Sequence, residues 1–465
     1  MMNRICFLII AISISFIASG QEVKKQETPV YKLMRQDEDY AYLKDSDSVE
    51  NKDFWNHAKY IRLNGNGKNY LSFGGEFRPR YQIIKNEGWE ANSTEDNFGY
   101  YTQRLAVHSN LVLGKHIRFF TELYHGLTTS SERPRINQDD EIDINQAFVD
   151  IKPLQNQSLT IRVGRQQMVY GAGRLVALRD GLNVRRSFDG GRFMWSQKKY
   201  RLEGFWGSEV KVQPYSFDNV WRSDMQFWGT VASIKDSFFQ GTTELYYFGF
   251  ANDNATFNNV VGEERRQTVG VRRSGHLSKH FYFNTEITYQ FGDFAGQDIN
   301  ALAIEFDYHY KNISLGKVND FGIKLDYVSG DNKVGDSKLQ TFNPLFNNPT
   351  YFGLAAAIAP VNLIDIHPSI SGDLSSKTDF IFDWDFFWRA STSDGVYSPP
   401  KNLRVDGSLS TSRFIGHQPS LKITHQFTKH ITYDFEFSYF FVGQFLADAQ
   451  SENIFFLANT FNYKF

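Results

Sequence analysis

The side chains most able to do chemistry in this sequence are the charged ones, and they are unevenly distributed. Residues 60–210 contain 15 arginines, whereas residues 274–465 contain three. Arginine stays charged and offers a forked set of donors to carboxylates. The formal net charge of the whole chain is only −2, so nothing in its charge indicates nucleic-acid binding.

Patterns that would indicate catalysis or metal binding are weak. Asp383 and Asp385 share one face of an extended segment, about 7 Å apart, which overlaps the carboxyl spacing of inverting glycosidases. Paired acids on the wall of a pore are far more common than catalytic pairs, so we assign no catalytic residue. The 11 histidines show no metal-ligand spacing, and Gly171-Ala-Gly173 lacks the third glycine of a dinucleotide site. The sequence predicts no cofactor and no metal.

Alternation of apolar and polar residues dominates from about residue 70 to the end. In Phe281–Phe291 the odd positions are mainly aromatic or aliphatic and the even ones polar, and Ile431–Tyr439 repeats the pattern. About 18 such segments reach the roughly 9–11 residues that a tilted strand needs to cross a membrane. Short turns alternate with long polar loops, as expected for periplasmic turns and extracellular loops. We therefore predict an all-β fold, a closed antiparallel transmembrane β-barrel over residues 70–465.

Composition agrees with a barrel, since aromatic residues make up 16% of the chain while the mean hydropathy is −0.44.

Residues 1–20 have the basic start, apolar run and small cleavage-site residues of a secretory signal peptide. Cys6, the only cysteine, lies within it, so the mature chain has no disulfide. Residues 21–69 are acidic and polar, and we predict a periplasmic extension, with a small plug as the alternative. The chain ends on Phe465, in a strand that resembles the signal read by the outer-membrane assembly machinery.

Strand parity then predicts which charged residues line the pore. If the aromatic face meets lipid, the opposite face carries the basic residues Arg78, Arg80, Arg104, Arg118 and Arg162 and the acidic residues Glu286, Glu305, Asp307, Asp383, Asp385, Asp434 and Glu436. Arg165 has the wrong parity, so either a bulge turns it inward, which we favour, or its strand has ended. Basic and acidic walls facing each other would create a transverse field that orients charged solutes. The alternative is that these charges only pair with one another and keep the pore wet.

The segment 170–189 is a long, glycine-hinged loop that adds four more arginines. They are Arg174, Arg179, Arg185 and Arg186. Such a loop could fold inward and narrow the channel. It could equally be a surface loop held by lipopolysaccharide phosphates, and the sequence leaves both possibilities open.

Longer motifs carry a resemblance to a known family. Thr160–Gln166, Tyr170–Arg174 and Arg186–Arg192 resemble the alginate export family of outer-membrane porins, and so do Phe342–Phe346, Asn362–Ser369 and Asp383–Arg389. The resemblance covers roughly residues 70–465. It implies a monomeric 18-stranded barrel whose narrow, arginine-lined lumen passes an anionic polysaccharide.

We therefore expect a passive pore for anionic or sugar-like solutes in the outer membrane of a Gram-negative bacterium. Its expected partners are membrane lipid, lipopolysaccharide and the assembly machinery. A barrel enzyme acting on lipid or glycan and a receptor or adhesin barrel are the alternatives.

Overall fold

The computed structural model describes residues 31–48, 53–90, 99–131, 138–154, 156–236, 240–399 and 401–465. The signal peptide predicted for residues 1–20 lies outside these ranges. Among the described residues, no helix has the length and apolar character that a membrane crossing requires.

Eighteen antiparallel strands close into one barrel. The main sheet has 21 strands, of which three are two-residue strands (Ile61–Arg62, Val220–Trp221 and Lys338–Leu339), and the other 18 form the wall. The wall strands are β1 (Asn69–Lys85), β2 (Tyr100–Leu113), β3 (Ile117–Thr129), β4 (Asp140–Ile151), β5 (Leu159–Gln166), β6 (Phe188–Ser196), β7 (Tyr200–Lys211), β8 (Met225–Asp236), β9 (Gly241–Phe257), β10 (Val260–His276), β11 (Phe281–Phe294), β12 (Gln297–Leu315), β13 (Val318–Val328), β14 (Leu363–Ser375), β15 (Thr378–Arg389), β16 (Phe414–Gln426), β17 (Ile431–Val442) and β18 (Ile454–Lys464). Antiparallel pairing of β1 with β18 closes the ring, with Lys85 opposite Phe455. The predicted closed barrel of about 18 strands is confirmed.

The alternation of side chains sets the inside and outside of the wall. In β11, Glu286 and Thr288 are buried while Ile287 and Tyr289 are 43% and 40% exposed. In β17, Ser438 is buried and its neighbour Phe437 lies on the opposite, partly exposed face. The predicted aromatic face of these strands is therefore the outer one. An antiparallel strand with one apolar and one polar face can meet lipid and water at once.

The parity rule fails in β7–β9, where aromatic residues also point inward. Phe205, Phe227 and Phe248 are at most 7% exposed, whereas Trp206 on the outer face of β7 is 50% exposed. Aromatic residues therefore lie on both faces of these strands, because loops fold into the barrel and pack against this part of the wall. This explains why the sequence around residues 190–210 alternates poorly.

Two loops meet inside the barrel. We call residues 167–187, between β5 and β6, the arginine loop, and residues 329–362, between β13 and β14, the partner loop. The Ala177 amide donates to the Phe346 carbonyl (2.9 Å), and the Phe346 amide donates to Leu175 (2.8 Å). The Phe346 ring contacts Phe188 and Phe227 of the wall, with ring centroids 5.0 and 4.9 Å away. The lumen therefore holds a small apolar core that anchors both loops.

The segment before β1 lies across the end of the barrel that carries the short turns. Arg35 donates to the carbonyls of Gly75 and Phe465, both at 2.8 Å. Gln36 is 1% exposed, and its carbonyl accepts from Arg118 of β3 at 2.5 Å. Trp55 stacks on Phe465 with ring centroids 4.3 Å apart. Part of the acidic segment thus reaches in among the lumen side chains.

Smaller elements complete the fold. α1 (Asn56–Lys59) precedes β1 and α2 (Gln444–Asp448) follows β17; 3₁₀ turns span Arg35–Asp37, Ala41–Ser48, Glu87–Trp89 and Gly407–Leu409; and a separate hairpin pairs Val396–Ser398 with Asn402–Val405.

Candidate functional site

Two arginines of the wall hold the arginine loop by its backbone. Arg78 and Arg104 lie opposite each other on β1 and β2. Arg78 donates to the carbonyls of Asp180 (2.5 Å) and Leu182 (2.9 Å). Arg104 donates to Asp180 (2.8 Å) and Asn183 (2.9 Å). Carbonyl oxygens at the tip of the loop therefore receive charged donors from the wall, and such bonds are among the stronger hydrogen bonds in proteins.

An ion-pair network fixes the same end of the loop. Arg104 lies 2.8 Å from Glu76 and 2.7 Å from the Asp180 carboxylate, while Arg185 of the loop lies 3.2 Å from Glu76 and 2.6 Å from Asp180. Arg104, Arg185 and Glu76 are each at most 2% exposed. Arg78 lies 3.9 Å from the same Asp180 carboxylate, so three arginines share two carboxylates, and this partial compensation makes burial of the charges tolerable.

The acidic wall holds the other end of the loop. Arg174 lies 3.3 Å from Glu286 and 3.4 Å from Glu305, which are opposite each other on β11 and β12. Its Nε also donates to the Tyr351 hydroxyl of the partner loop at 3.1 Å. Burial lowers the pKa of Arg174, but the nearby carboxylates, Glu305 first, raise it well above its ordinary value. The loop therefore spans the lumen from the arginine-rich wall to the acidic wall.

The other predicted basic residues have acidic partners on neighbouring strands. Asp150 of β4 lies in register between Arg118 and Arg162. Arg162 binds both of its carboxylate oxygens (2.7 and 2.9 Å), and Arg118 lies 3.4 Å away. Arg80 pairs with Glu436 at 2.9 Å, so two residues predicted on separate walls meet. The arginine-rich arc therefore has a smaller net positive charge than we expected from the sequence, because Asp150 was not among the predicted pore-lining residues.

The bulge that we expected to turn Arg165 inward is not present in β5. β5 pairs with β4 and with β6 without any shift in register, so Arg165 keeps the parity of Ile161 and Val163, which are 38% and 53% exposed. Arg165 therefore belongs to the outer face of the strand. There it binds Asp189 at 2.8 and 3.0 Å. The bulge lies instead in β4, where the pairing with β3 shifts between residues 144 and 146.

The remaining predicted acids lie at three places on the inner face. Near the short turns, Asp434 and Glu436 lie 3.5 and 3.4 Å from Lys422. On β12, Asp307 lies 3.0 Å from the His309 ring. Asp383 and Asp385 flank His367, a residue that the sequence analysis did not select.

A cavity of about 600 Å³ opens at the end of the barrel that carries the long loops. Its wall contains six asparagines, the aromatic residues Phe250, Phe346 and Tyr397, and one acid, Glu209. Its five cationic residues are Arg179, Arg186, Lys211, Arg222 and Lys401. The arginine loop supplies the first two, as predicted for a loop that folds inward. The last three were missed because they come from strand ends and from another loop.

Glu209 does not neutralise this cavity. Arg186 lies 2.8 Å and Arg179 3.7 Å from its carboxylate, so these two guanidinium groups share one negative charge. Arg222 pairs with Asp224 at 2.8 Å and Lys401 with Glu264 at 3.3 Å, which leaves Lys211 without a carboxylate among the residues that line the cavity. Burial and the neighbouring Arg186 lower the pKa of Arg179 to about 10, which leaves it protonated at neutral pH. The cavity is therefore suited to solutes that bring negative charge and hydrogen-bonding groups.

Comparisons with known proteins agree with this architecture. The family model described as alginate export matches residues 69–457. Among solved structures, OccK3 (OpdO) of Pseudomonas aeruginosa superposes with a TM-score of 0.58 at 11% identity, over 85% of this chain and 95% of that chain. OccK8 (OprE) of the same organism gives 0.56 at 11% identity, and OpdK, solved with vanillate, gives 0.55 at 9%; each covers 85% of this chain and 98% of its own. At these identities the likeness is one of fold. No curated protein matches the chain.

Proposed function

Since the chain belongs to the alginate export family, we propose that it is a pore that favours anionic, hydroxyl-rich solutes, with an anionic polysaccharide such as alginate as one candidate. The barrel lies in the outer membrane of a Gram-negative bacterium, and its family and fold are those of outer-membrane channels for solutes.

The observation that carries the proposal is the chemistry of the cavity at the loop end. Five cationic residues and one acid line about 600 Å³, together with six asparagines and three aromatic rings. Guanidinium groups bind carboxylates through two parallel donors, and asparagine amides can both donate to and accept from sugar hydroxyls. Apolar and aromatic surface with a few placed polar groups is typical of small-molecule sites. An acidic sugar offers each of these groups a partner.

The arginine loop supplies the constriction in this proposal. It reaches from Arg78 and Arg104 on one wall to Glu286 and Glu305 on the other. A solute that leaves the cavity must pass beside this loop, where charged groups of both signs are held in fixed positions. Fixed charges can replace part of the hydration of an anion, so the passage is selective without a conformational cycle.

We also propose that the chain acts as a monomer in contact with lipid and lipopolysaccharide. The outer-membrane assembly machinery would recognise β18 with its terminal Phe465. Closure of the ring by β1 and β18 means that one chain completes a barrel without a second copy.

The proposal is tested by blocking single channels in a planar bilayer with an acidic oligosaccharide, compared with a neutral one of equal length. The triple variant Lys211→Gln, Arg222→Gln, Lys401→Gln removes charge from the cavity and leaves Arg179 and Arg186 in place. Each solvated contact is worth about 0.2–1 kcal/mol, so about tenfold weaker block is expected from the variant. Lys333→Gln is the matched control, because Lys333 is exposed in the partner loop and does not line the cavity.

Block by the acidic oligosaccharide alone, weakened in the triple variant and not in the control, would support the proposal. Equal block by the acidic and neutral oligosaccharides would refute the preference for anions. A folded barrel without steady current would favour the receptor alternative instead.

A further inference from the structure

A group of metal-binding side chains lies on the inner face of β14 and β15. Asp365, His367 and Asp385 are at most 2% exposed, and one potential ligand atom from each lies within 4.8 Å of the other two. Their spacing along the chain matches no metal-ligand motif, because the ligands come from two strands. Positions 365 and 367 share the inner face of β14, and the register of β15 brings Asp385 opposite His367.

The carboxylates of this group lack the partners that buried charges require. Within the described part of the chain, neither oxygen of Asp365 and neither oxygen of Asp385 makes a hydrogen bond. Asp326 of β13, opposite Asp365, has the same deficiency. Buried carboxylates are ordinarily paired, hydrogen-bonded or bound to a metal ion. Four oxygen atoms on two adjacent strands are therefore available to a cation.

The orientation of the His367 ring fits a ligand. Its Nδ1 lies 2.6 Å from Asp385 and 3.7 Å from Asp365, and neither contact has hydrogen-bond geometry. Its Nε2 faces Asp383 at 3.6 Å. Metal-bound histidines commonly direct the second ring nitrogen to a carboxylate, which fixes the tautomer and the ring orientation. Asp383 lies in the position of that carboxylate.

Nearby cations do not occupy this position. Lys324 lies opposite His367 on β13, and its ammonium group is over the Tyr351 ring, 4.9 Å from the centroid. Arg174 is bound to Glu286 and Glu305. Four aspartates lie here and outnumber the nearby cationic side chains: Asp326, Asp365, Asp383 and Asp385.

We propose that Asp365, Asp385 and Nδ1 of His367 bind one first-row divalent cation, with Asp383 as the residue that positions the imidazole. An imidazole among carboxylates suits zinc or manganese, whereas magnesium and calcium prefer oxygen ligands alone. The bound ion would join β14 to β15 and compensate the acidic wall at this height. The site is separate from the cavity at the loop end, so it stands or falls independently of the proposed solute.

The test is a zinc titration of the full-length barrel without a histidine tag, stripped with a chelator in detergent and followed by calorimetry. Wild type should bind one zinc ion per chain. Asp383→Asn should weaken binding by about 10–100-fold, and Asp365→Asn and Asp385→Asn should weaken it further. Asp434→Asn is the matched control, because it removes the same charge from the lumen near Lys422 and should leave the affinity unchanged.

X-ray absorption of the zinc-loaded wild type supplies a readout that needs no variant. It should show one nitrogen and at least two oxygen ligands at about 2.0–2.2 Å. Absence of stoichiometric binding by the wild type would overturn the proposal. Equal losses in Asp434→Asn and Asp365→Asn would also overturn it, since binding would then reflect the general charge of the lumen.

Discussion

Replacing Arg104 by methionine tests whether the wall holds the arginine loop in the lumen. The guanidinium group is fully buried, pairs with Glu76 at 2.8 Å and donates to loop carbonyls such as that of Asn183 at 2.9 Å. Methionine keeps an unbranched side chain and removes every donor. Breaking a buried ion pair costs about 3–5 kcal/mol. Glu76 keeps Arg185 at 3.2 Å, so we expect the lower end of that range. The released loop should also widen the channel and raise its conductance.

Arg162→Met is the matched control for this prediction. Arg162 is also buried, but it binds Asp150 of the barrel wall and not the loop. Denaturant unfolding should show a loss of stability in both variants, whereas single-channel recording should show higher conductance only in Arg104→Met. Unchanged conductance in a folded Arg104→Met barrel would refute the role of Arg104 in holding the arginine loop, and so would an equal rise in Arg162→Met.

Three further predictions concern the wall, the N-terminal segment and the core of the lumen. Phe435→Arg on the lipid face should cost about 2–4 kcal/mol, and Thr432→Arg on the inner face much less; equal losses in unfolding experiments would contradict the assignment of faces. Burial and the nearby Arg35 lower the pKa of Lys59 to about 7 when the N-terminal segment is docked in the barrel. Below pH 7 Lys59 is protonated whether or not the segment is docked. From about pH 7 to 10 it is protonated only when the segment is undocked. Docking of the segment should therefore strengthen as the pH rises through this range, and Lys59→Met should abolish the dependence; proteolysis of the segment at pH 7.5 and 9, normalised to a free peptide, measures it. Phe346→Ala should cost about 3–5 kcal/mol and raise the conductance, and a fully stable variant would show that the inner core does not anchor the loops.

The wall of the barrel was predictable from sequence because alternation is a local property. Segments such as Phe281–Phe291 sort their residues onto two faces whatever the rest of the chain does. The same logic failed in β7–β9, where loop packing makes Phe227 and Phe248 face inward. Aromatic residues identify the lipid face only where the lumen is wet.

The site was less predictable because it depends on register and on the path of loops. The four loop arginines were selected from sequence, and the structure brings Arg174, Arg179, Arg185 and Arg186 inward, but their carboxylate partners lie between 5 and 131 residues away along the chain. Asp150 lies between two arginines only because β4 is in register with both neighbouring strands.

The proposed preference for anions is tested most directly by the ion selectivity of single channels, measured as the reversal potential across a salt gradient. Salt in the lumen screens charge over roughly 10 Å at 0.1 M. The effect of the cationic cavity on the ion selectivity should therefore be largest at low salt. The cationic cavity predicts a preference for anions in the wild type that falls in the variant Lys211→Gln, Arg222→Gln, Lys401→Gln and persists in Lys333→Gln. A preference for cations in the wild type, or a reversal potential that the triple variant leaves unchanged, would contradict it.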